Sequence, residues 1–358
     1  MSLYWVWYAL LGVLFAGYAV LDGFDLGVGV LYPFLARDED ERSVLRRAIG
    51  PVWDGNEVWL ITAGGALFAA FPFAYAFAFS GFYLAIMLVL FGLIVRAASL
   101  EFRHRDQRWA RLWDGLFFCG SLAPALLFGV AVGNLVRGVT MSYSQGPAGL
   151  AIDYAGTFWQ LLNPYSLLVG VLSLAMFATQ GAAWAALKTE GALHDRAVRT
   201  RSVVWTVFVA LLVVTTIVTA LAVREHFTAN ATSVLGWLFI CLAAAGILGA
   251  GLAMQRADDR LVFLTSSLTV LGLVGLWGNG NWPYIVPATS VEFPHGPITI
   301  DIDALRQLGI RADVLHSSNL TLTVMLIITA VCFPLVLAYT AYVYRTFAGK
   351  VRPGEGEY

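Results

Sequence analysis

Charge is what this sequence has least of. Of its 358 residues only 13% are Asp, Glu, Lys or Arg, while 59% are hydrophobic, and the mean hydropathy is +0.74. No soluble domain of this length needs so much apolar sequence, so a globular soluble enzyme is excluded. An excess of one sign is also missing. The formal net charge is −1 and no basic tract occurs, which removes nucleic acid as a partner. Cysteine is scarce: Cys119, Cys241 and Cys332 lie singly in apolar segments without a CxxC pair. This argues against both a disulfide framework and a thiolate metal site. No cleavable signal peptide is evident, because the first apolar run has no basic segment before it and far exceeds a signal core in length.

Histidine is missing where a membrane cofactor would need it. His104, His194, His226, His295 and His316 all fall in loops or at helix ends. A haem in a helical bundle takes an axial His, Met or Cys from a spanning helix. Met87, Met176, Met254 and Met325 lie in spans, but a lone apolar methionine reads as packing. The chain is therefore expected to hold no haem or metal of its own. Dinucleotide fingerprints, P-loops and nucleophile elbows are absent as well.

What is present is a succession of apolar runs near 20 residues long, the length that spans a bilayer. Nine helices are expected, near 4–35, 51–75, 78–100, 112–137, 161–187, 202–223, 232–254, 261–282 and 320–345. The fold class is all-α and polytopic, one transmembrane domain over 1–358. Within it, 1–137 forms a charge-bearing first bundle, 161–282 a second bundle, 283–319 an outer loop and 320–345 a last helix. Lysine and arginine set the orientation. The connections after spans 1, 3, 5 and 7 and the C-terminal tail hold 4, 4, 4, 2 and 3 of the 22 basic residues. The N-terminus and the connections after spans 2, 4, 6 and 8 hold 0, 0, 1, 1 and 2, and Arg96 lies inside the third span. The N-terminus is thus expected outside and the C-terminus in the cytoplasm. The longer connections, 138–160 and 283–319, face outward, and DIDALRQLG (301–309) in the second reads as a short surface helix. LLGVLFAGYAVLDG (10–23) is echoed by LVGVLSLAMFATQG (168–181), a pattern that either a duplication or chance similarity of apolar helices produces.

The few intramembrane charges are not scattered. Asp22 and Asp25 lie in the inner half of the first span, and Asp54 and Glu57 at the inner end of the second. Arg96 is near the inner end of the third, with Glu101 just beyond, and Asp114 opens the fourth. A charge at mid-membrane costs roughly 2.5–3.5 kcal/mol, so such groups face a protein interior or water and are paired or functional. Arg96 neutralises one or two carboxylates and leaves the others in excess, an arrangement suited to taking up and passing on protons. A structural role is the alternative: ion pairs with Arg96, or carboxylates accepting from backbone N–H groups at broken turns around Gly23, Gly27 and Gly55. Glu101 and Asp114 read as interfacial, and Trp53 and Trp59 as membrane-interface or packing aromatics. The second half of the chain offers only isolated polar groups such as Gln180, Asn279 and Asn281.

These residues resemble subunit II of the bacterial cytochrome bd-type quinol oxidases. The resemblance rests on DGFDLGVG (22–29), WDGNEVWLITAGGALFAAFP (53–72) and SGFYLAIMLVL (80–90). It continues through WDGLFFCGSLAPALLFGVAVGNL (113–135), FWQLLNPYSLLVGVLS (158–173) and TQGAAW (179–184). Late in the chain it takes in FLTSSLT (263–269), WPYIVPATS (282–290), SSNLTLTVM (317–325) and YRTFAGKV (344–351). Residues 291–315 depart from the pattern by their length.

The resemblance implies two four-helix bundles plus one further helix, in the bacterial inner membrane. It implies a heterodimer with a haem-bearing subunit I that carries haems b and d, often with a small single-helix accessory subunit. Quinol and dioxygen are the substrates of the complex, and some members hold a quinone or lipid within subunit II. Acidic residues of the first two helices are implicated in a proton route to the partner; the matching positions are Asp25 and Asp54. Glu57 and Asp22 join them by helical spacing, with Arg96 as charge partner. Trp53, Trp59, Glu101 and Asp114 are candidates for proton intake or a subunit interface. The other readings are a proton-coupled secondary transporter and a scaffold that only stabilises the oxidase.

Overall fold

The computed structural model describes residues 2–103, 105, 107–146, 149–292 and 309–352. His104, His295 and residues 301–308 of the expected surface helix lie outside the described residues. The chain is helical, and among the described residues eight helices are long and apolar enough to cross a membrane. They are α1 (Leu3–Leu35), α5 (Tyr83–Phe102), α6 (Ala110–Arg137), α8 (Pro164–Lys188), α9 (Gly191–Ala222), α11 (Val234–Gln255), α12 (Asp259–Asn281) and α13 (Asn319–Thr346).

The second expected span, 51–75, is divided. Helix α3 (Trp53–Ala70) ends at Phe71, and α4 (Pro72–Gly81) begins with the proline. A residue before proline is pushed out of the α region, and Phe71 indeed sits at φ −133°, ψ 66°. Helix α3 has 18 residues and includes Asp54, Asn56 and Glu57, which keeps it out of the apolar set.

Two expected connections are helical. Helix α2 (Glu39–Ile49) starts at Asp38, whose carboxylate accepts from the Glu41 N–H at 2.9 Å, and its first turn holds Glu39, Asp40 and Glu41. It buries Val44, Leu45, Ala48 and Ile49, a helical repeat that lays one apolar face on the bundle. Helix α9 begins eleven residues before the expected 202, because His194 to Arg201 contains nothing that breaks a helix. The short α10 (Arg224–Thr232) follows it on the opposite face.

The centre of the molecule is the crossing of α1 and α8. A Cβ added to Gly27 would stand 1.8 Å from the Phe177 carbonyl oxygen, and one added to Gly181 would stand 2.1 Å from the Gly27 carbonyl carbon. The two backbones are in contact, and only glycine permits that. Helix α6 packs on both α1 and α8, and α12 does the same, so the halves 1–137 and 161–282 share one interior. Toward the arginine-rich end, the Trp184 ring stacks on Phe24 with centroids 4.1 Å apart, and its indole N–H donates to the Ala48 carbonyl at 2.9 Å. This ties α8, α1 and α2 together.

The other end is capped by a sheet that hydropathy did not disclose. Strands β1 (Val139–Gly146) and β2 (Gly149–Tyr154) form an antiparallel hairpin, joined by α7 (Phe158–Leu161) to α8. β1 then pairs in parallel with β3 (Tyr284–Glu292), which pairs antiparallel with β4 (Gly309–Arg311). The two long connections therefore join in one sheet of order β2-β1-β3-β4. Val139, Met141, Val286 and Ile310 are buried against Trp7 and Leu322. The Trp7 indole donates to the Leu322 carbonyl at 3.0 Å and fixes the start of α13.

Gln180, within the bundle, and Asn279 and Asn281, beneath the sheet, are not isolated. Ser266 donates to the Gln180 amide oxygen, and Gln180 donates to Ser267 at 3.0 Å. Asn279 donates to Asn230 at 2.8 Å and accepts from Ser233 at 3.1 Å. Asn281 donates to the Leu135 carbonyl at 3.2 Å, so its oxygen faces His226 Nδ1 at 2.9 Å and the ring donates there as neutral imidazole. Single apolar helices hid these pairs because each partner lies on a different helix.

Two outcomes follow from this packing. Gly181→Val drives a branched side chain into the α1 backbone and should cost about 3 kcal/mol or more, read as a lower unfolding temperature in detergent. Burial holds the His226 pKa down from 6.5 to about 4. The unfolded chain takes up that proton first, so stability falls as pH drops from 6.5 to about 4 and then levels off. The loss is about 3 kcal/mol, and comparing melting curves of the native protein and His226→Gln across that window should show the slope only in the former.

Candidate functional site

Helix α1 carries Asp22 and Asp25 on successive turns, and both side chains are wholly buried. Helix α3 crosses them with Asn56 and Glu57, and α5 supplies Arg96, also wholly buried. The Arg96 Nη2 donates to Asp22 Oδ1 at 2.6 Å and to Glu57 Oε1. Asp25 is held differently. Asn56 Nδ2 donates to Asp25 Oδ2 at 2.7 Å and to the Leu21 carbonyl at 3.1 Å. The Asn56 oxygen accepts from the Tyr344 hydroxyl of α13 at 3.0 Å. Three helices thus converge on two carboxylates of α1.

The cluster is neither closed nor charge-balanced. One guanidinium faces three carboxylates, and a charge this deep is tolerated only when it is offset or hydrated. Asp22 Oδ2, Asp25 Oδ1, and Arg96 Nε and Nη1 are buried without a hydrogen-bond partner in the protein. Orphaned polar atoms grouped in this way are the ordinary setting of buried water. Glu57 is the exposed edge, with 21% of its side chain accessible while Asp22 and Arg96 have none.

Of the residues expected here, Asp22, Asp25, Glu57 and Arg96 are brought together. Asp54 is not bonded to them: it is exposed on α3, one turn before Glu57 and toward the arginine-rich end. Trp53 is half-buried beside it, while Trp59 is buried and packs edge-on against Phe333, a core aromatic. The broken turns expected around Gly23, Gly27 and Gly55 do not occur. α1 and α3 run unbroken through them, and the carboxylates accept from side chains instead. Gly23 and Gly27 are there for close approach to α8.

Asp114 belongs to a separate knot. It accepts from Arg103 Nε at 2.8 Å, Arg42 Nη1 at 3.0 Å and the Tyr32 hydroxyl at 3.0 Å. Arg103 also reaches Glu39 at 2.6 Å, so the knot fastens α2 to α5 and α6. Glu101 stands apart and exposed. In the second half, the buried Arg201 pairs with Asp259 at 2.7 Å, and Asp259 also meets His194 at 2.9 Å. Asn56 and Tyr344 were not singled out from the sequence. Asn56 sits between the two acids of WDGNE, which was a usable signal; nothing local marked Tyr344.

The three described histidines each have a protein partner: His194 has Asp259, His226 has Asn281, and His316 meets the Ser317 carbonyl and stacks on Tyr4. Among the described residues, no group of three or more His, Cys, Asp or Glu is placed to hold a metal ion. Nearer the sheet, a cavity of about 670 Å³ opens among α1, α3, α4, α5, α6 and α12. Its wall is apolar, with Leu11, Phe15, Phe68 and Phe128, and a few polar groups such as Tyr8 and Asn134. Trp277 also lines it, and its buried indole N–H has no partner.

Comparison with known proteins finds relatives along nearly the whole chain. The family profile described as cytochrome bd terminal oxidase subunit II matches residues 3–347. The chain is 37% identical to the cytochrome bd-I ubiquinol oxidase subunit 2 of Escherichia coli strain K12, covering 97% of this chain and 94% of that one. It is 36% identical, with the same coverage, to the probable cytochrome oxidase subunit 2 of Haemophilus influenzae. In three dimensions it is similar to a chain of the bd oxidase from Geobacillus thermodenitrificans. The TM-score there is 0.76 at 14% identity, over 97% of this chain and 99% of that one.

Removing the guanidinium strands the buried Asp22 and the half-buried Glu57. Arg96→Leu should cost about 3–5 kcal/mol, measured as loss of thermal stability in detergent. The double variant Arg96→Leu/Asp22→Leu should regain part of it, and a double variant no more stable than the single one would contradict the pairing.

Proposed function

The chain belongs to the cytochrome bd terminal oxidase subunit II family, a multi-pass component of a quinol-oxidising enzyme in the bacterial inner membrane, and we propose that it delivers cytoplasmic protons to its partner subunit. The observation that carries this reading is the buried, charge-unbalanced cluster of Asp22, Asp25 and Glu57 around Arg96, open only at Glu57. Family membership sets aside the secondary-transporter alternative. Reduction of dioxygen to water, on haems b and d held by subunit I, consumes protons. Drawing them from the cytoplasm makes the reaction electrogenic.

The arginine-rich face is the cytoplasmic one, supported by the distribution of Lys and Arg. Asp54, exposed at that end, gathers protons. Glu57 stands one turn further in, and beyond it Arg96 and Asp22 hold the charge that keeps water in the cluster. Asp25 is the other wholly buried carboxyl, bonded by an amide and by no cation. The same face of α3 docks on subunit I, since a carboxylate at a lipid-facing position costs roughly 2.5–3.5 kcal/mol. The chain stabilises that subunit through this contact. Haem ligation is left to the partner, in keeping with the protein partners of the described histidines. The cavity of about 670 Å³ fits a bound quinone or lipid, by its apolar wall and the unpartnered Trp277 N–H.

In the purified complex, Asp54→Asn should lower quinol-oxidase turnover about tenfold or more and leave the haem spectrum intact. Undiminished turnover with undiminished proton uptake would remove Asp54 from the path. Loss of haem or of assembly would instead favour a scaffolding role for this helix end.

A further inference from the structure

Helix α13 is held loosely along most of its length: of its 28 residues only Leu322 is fully buried. Its last turns are the exception. Tyr344 lies edge-on to Phe24 at 6.4 Å and to Trp184 at 6.0 Å. The chain beyond it is pinned to the end of α8. Lys188 Nζ donates to the Phe347 carbonyl at 2.6 Å, the Val351 N–H to the Lys188 carbonyl at 2.8 Å, and Lys350 Nζ to the Thr189 carbonyl at 2.9 Å. Arg47 donates to the Arg352 carbonyl at 2.9 Å. So much anchoring on an otherwise loose helix fixes one hydroxyl, and that hydroxyl meets Asn56.

A primary amide has a donor end and an acceptor end, and rotating it by half a turn exchanges them. One contact sets which way Asn56 turns and a second holds it there. The Leu21 carbonyl accepts only, so the amide nitrogen must face α1, and the Tyr344 hydroxyl donates to the amide oxygen on the other side. Together they leave an N–H aimed at Asp25 Oδ2. We infer that Asn56 and Tyr344 are positioning residues for Asp25, the last helix holding the amide so that it presents a donor to the one buried carboxyl of the cluster that no cation touches. The inference rests on the proton-delivery reading. The charged and titratable groups around Asp25 are Asp22 on its own helix, Glu57 from α3, Arg96 from α5 and Tyr344 from α13. Tyr344 is the one whose hydroxyl is removable without altering the charge of the cluster.

The test is made on the intact oxidase complex. Tyr344→Phe should lower turnover about three- to tenfold, displace the pH profile of turnover, and shift the infrared carboxyl band that disappears in Asp25→Asn. KM for quinol and haem content should stay as in the native enzyme. Asn56→Leu, close in volume and without a donor, should give the same changes, larger. Native turnover and pH profile in Tyr344→Phe, with Asp25→Asn impaired, overturns the positioning role and leaves proton delivery standing. Native turnover in Asp25→Asn overturns proton delivery itself. A Tyr344→Phe enzyme that loses thermal stability while its pH profile and carboxyl band are unmoved shows the tyrosine to be an anchor only, and the inference fails.

Discussion

One buried guanidinium governs the geometry of the first half of this protein. Arg96 cannot leave its site without stranding Asp22 and Glu57, and neither acid could be buried there without it. Hydrocarbon supplies no competing partner, so the contact that is merely useful at a protein surface becomes obligatory here. It sets the rotation of α1, α3 and α5 about their own axes, and those rotations decide which faces are left for α8, for the partner and for lipid. A buried ion pair is weak evidence for stability as such; its role here is to specify which arrangement the helices adopt.

The same constraint explains why α1 lies at the middle. A helix with two buried acids must be surrounded, and a surrounded helix must fit closely on several sides. Gly23 and Gly27 sit within and just after the acidic turns, where α8 passes with its backbone against that of α1. The echo between 10–23 and 168–181 pairs Asp22 with Gln180, and both are buried polar groups engaged across helices. In the first half that engagement is ionic, and in the second it is between an amide and two serine hydroxyls.

Much of this was legible in the sequence, and what was not has a physical cause. Long apolar runs disclosed the spanning helices, and the cost of intramembrane charge picked out Asp22, Asp25, Glu57 and Arg96 without any knowledge of their contacts. Hydropathy does not see where a proline divides a helix, which is why 51–75 read as one span. It also misjudges charged but helix-compatible stretches such as 191–201, which continue a helix past the apolar part. The sheet escaped because β1 and β3 come from connections far apart in the chain, and a four-stranded cap has no local signature. Tyr344 escaped for the same reason: its partner Asn56 precedes it by 288 residues. Asp54 was expected among the other acids from the resemblance and from its place at the inner end of the second span. Its neighbour Glu57 points inward, while Asp54, at the first turn, is left at the surface.

The pinned tail has a consequence for how the protein is made. Synthesis runs from α1 onward, so Asp22 and Glu57 are laid down before Arg96, and Asn56 long before Tyr344. For much of translation the acidic turns exist without the groups that complete them. The stretch that seals them, from Tyr344 to Arg352, leaves the ribosome long after them, and its carbonyls and amides knit onto residues made far earlier. Closure of the cluster therefore waits for α13, and a nascent chain that has not reached this helix lacks the hydroxyl, the clamp and the closure together.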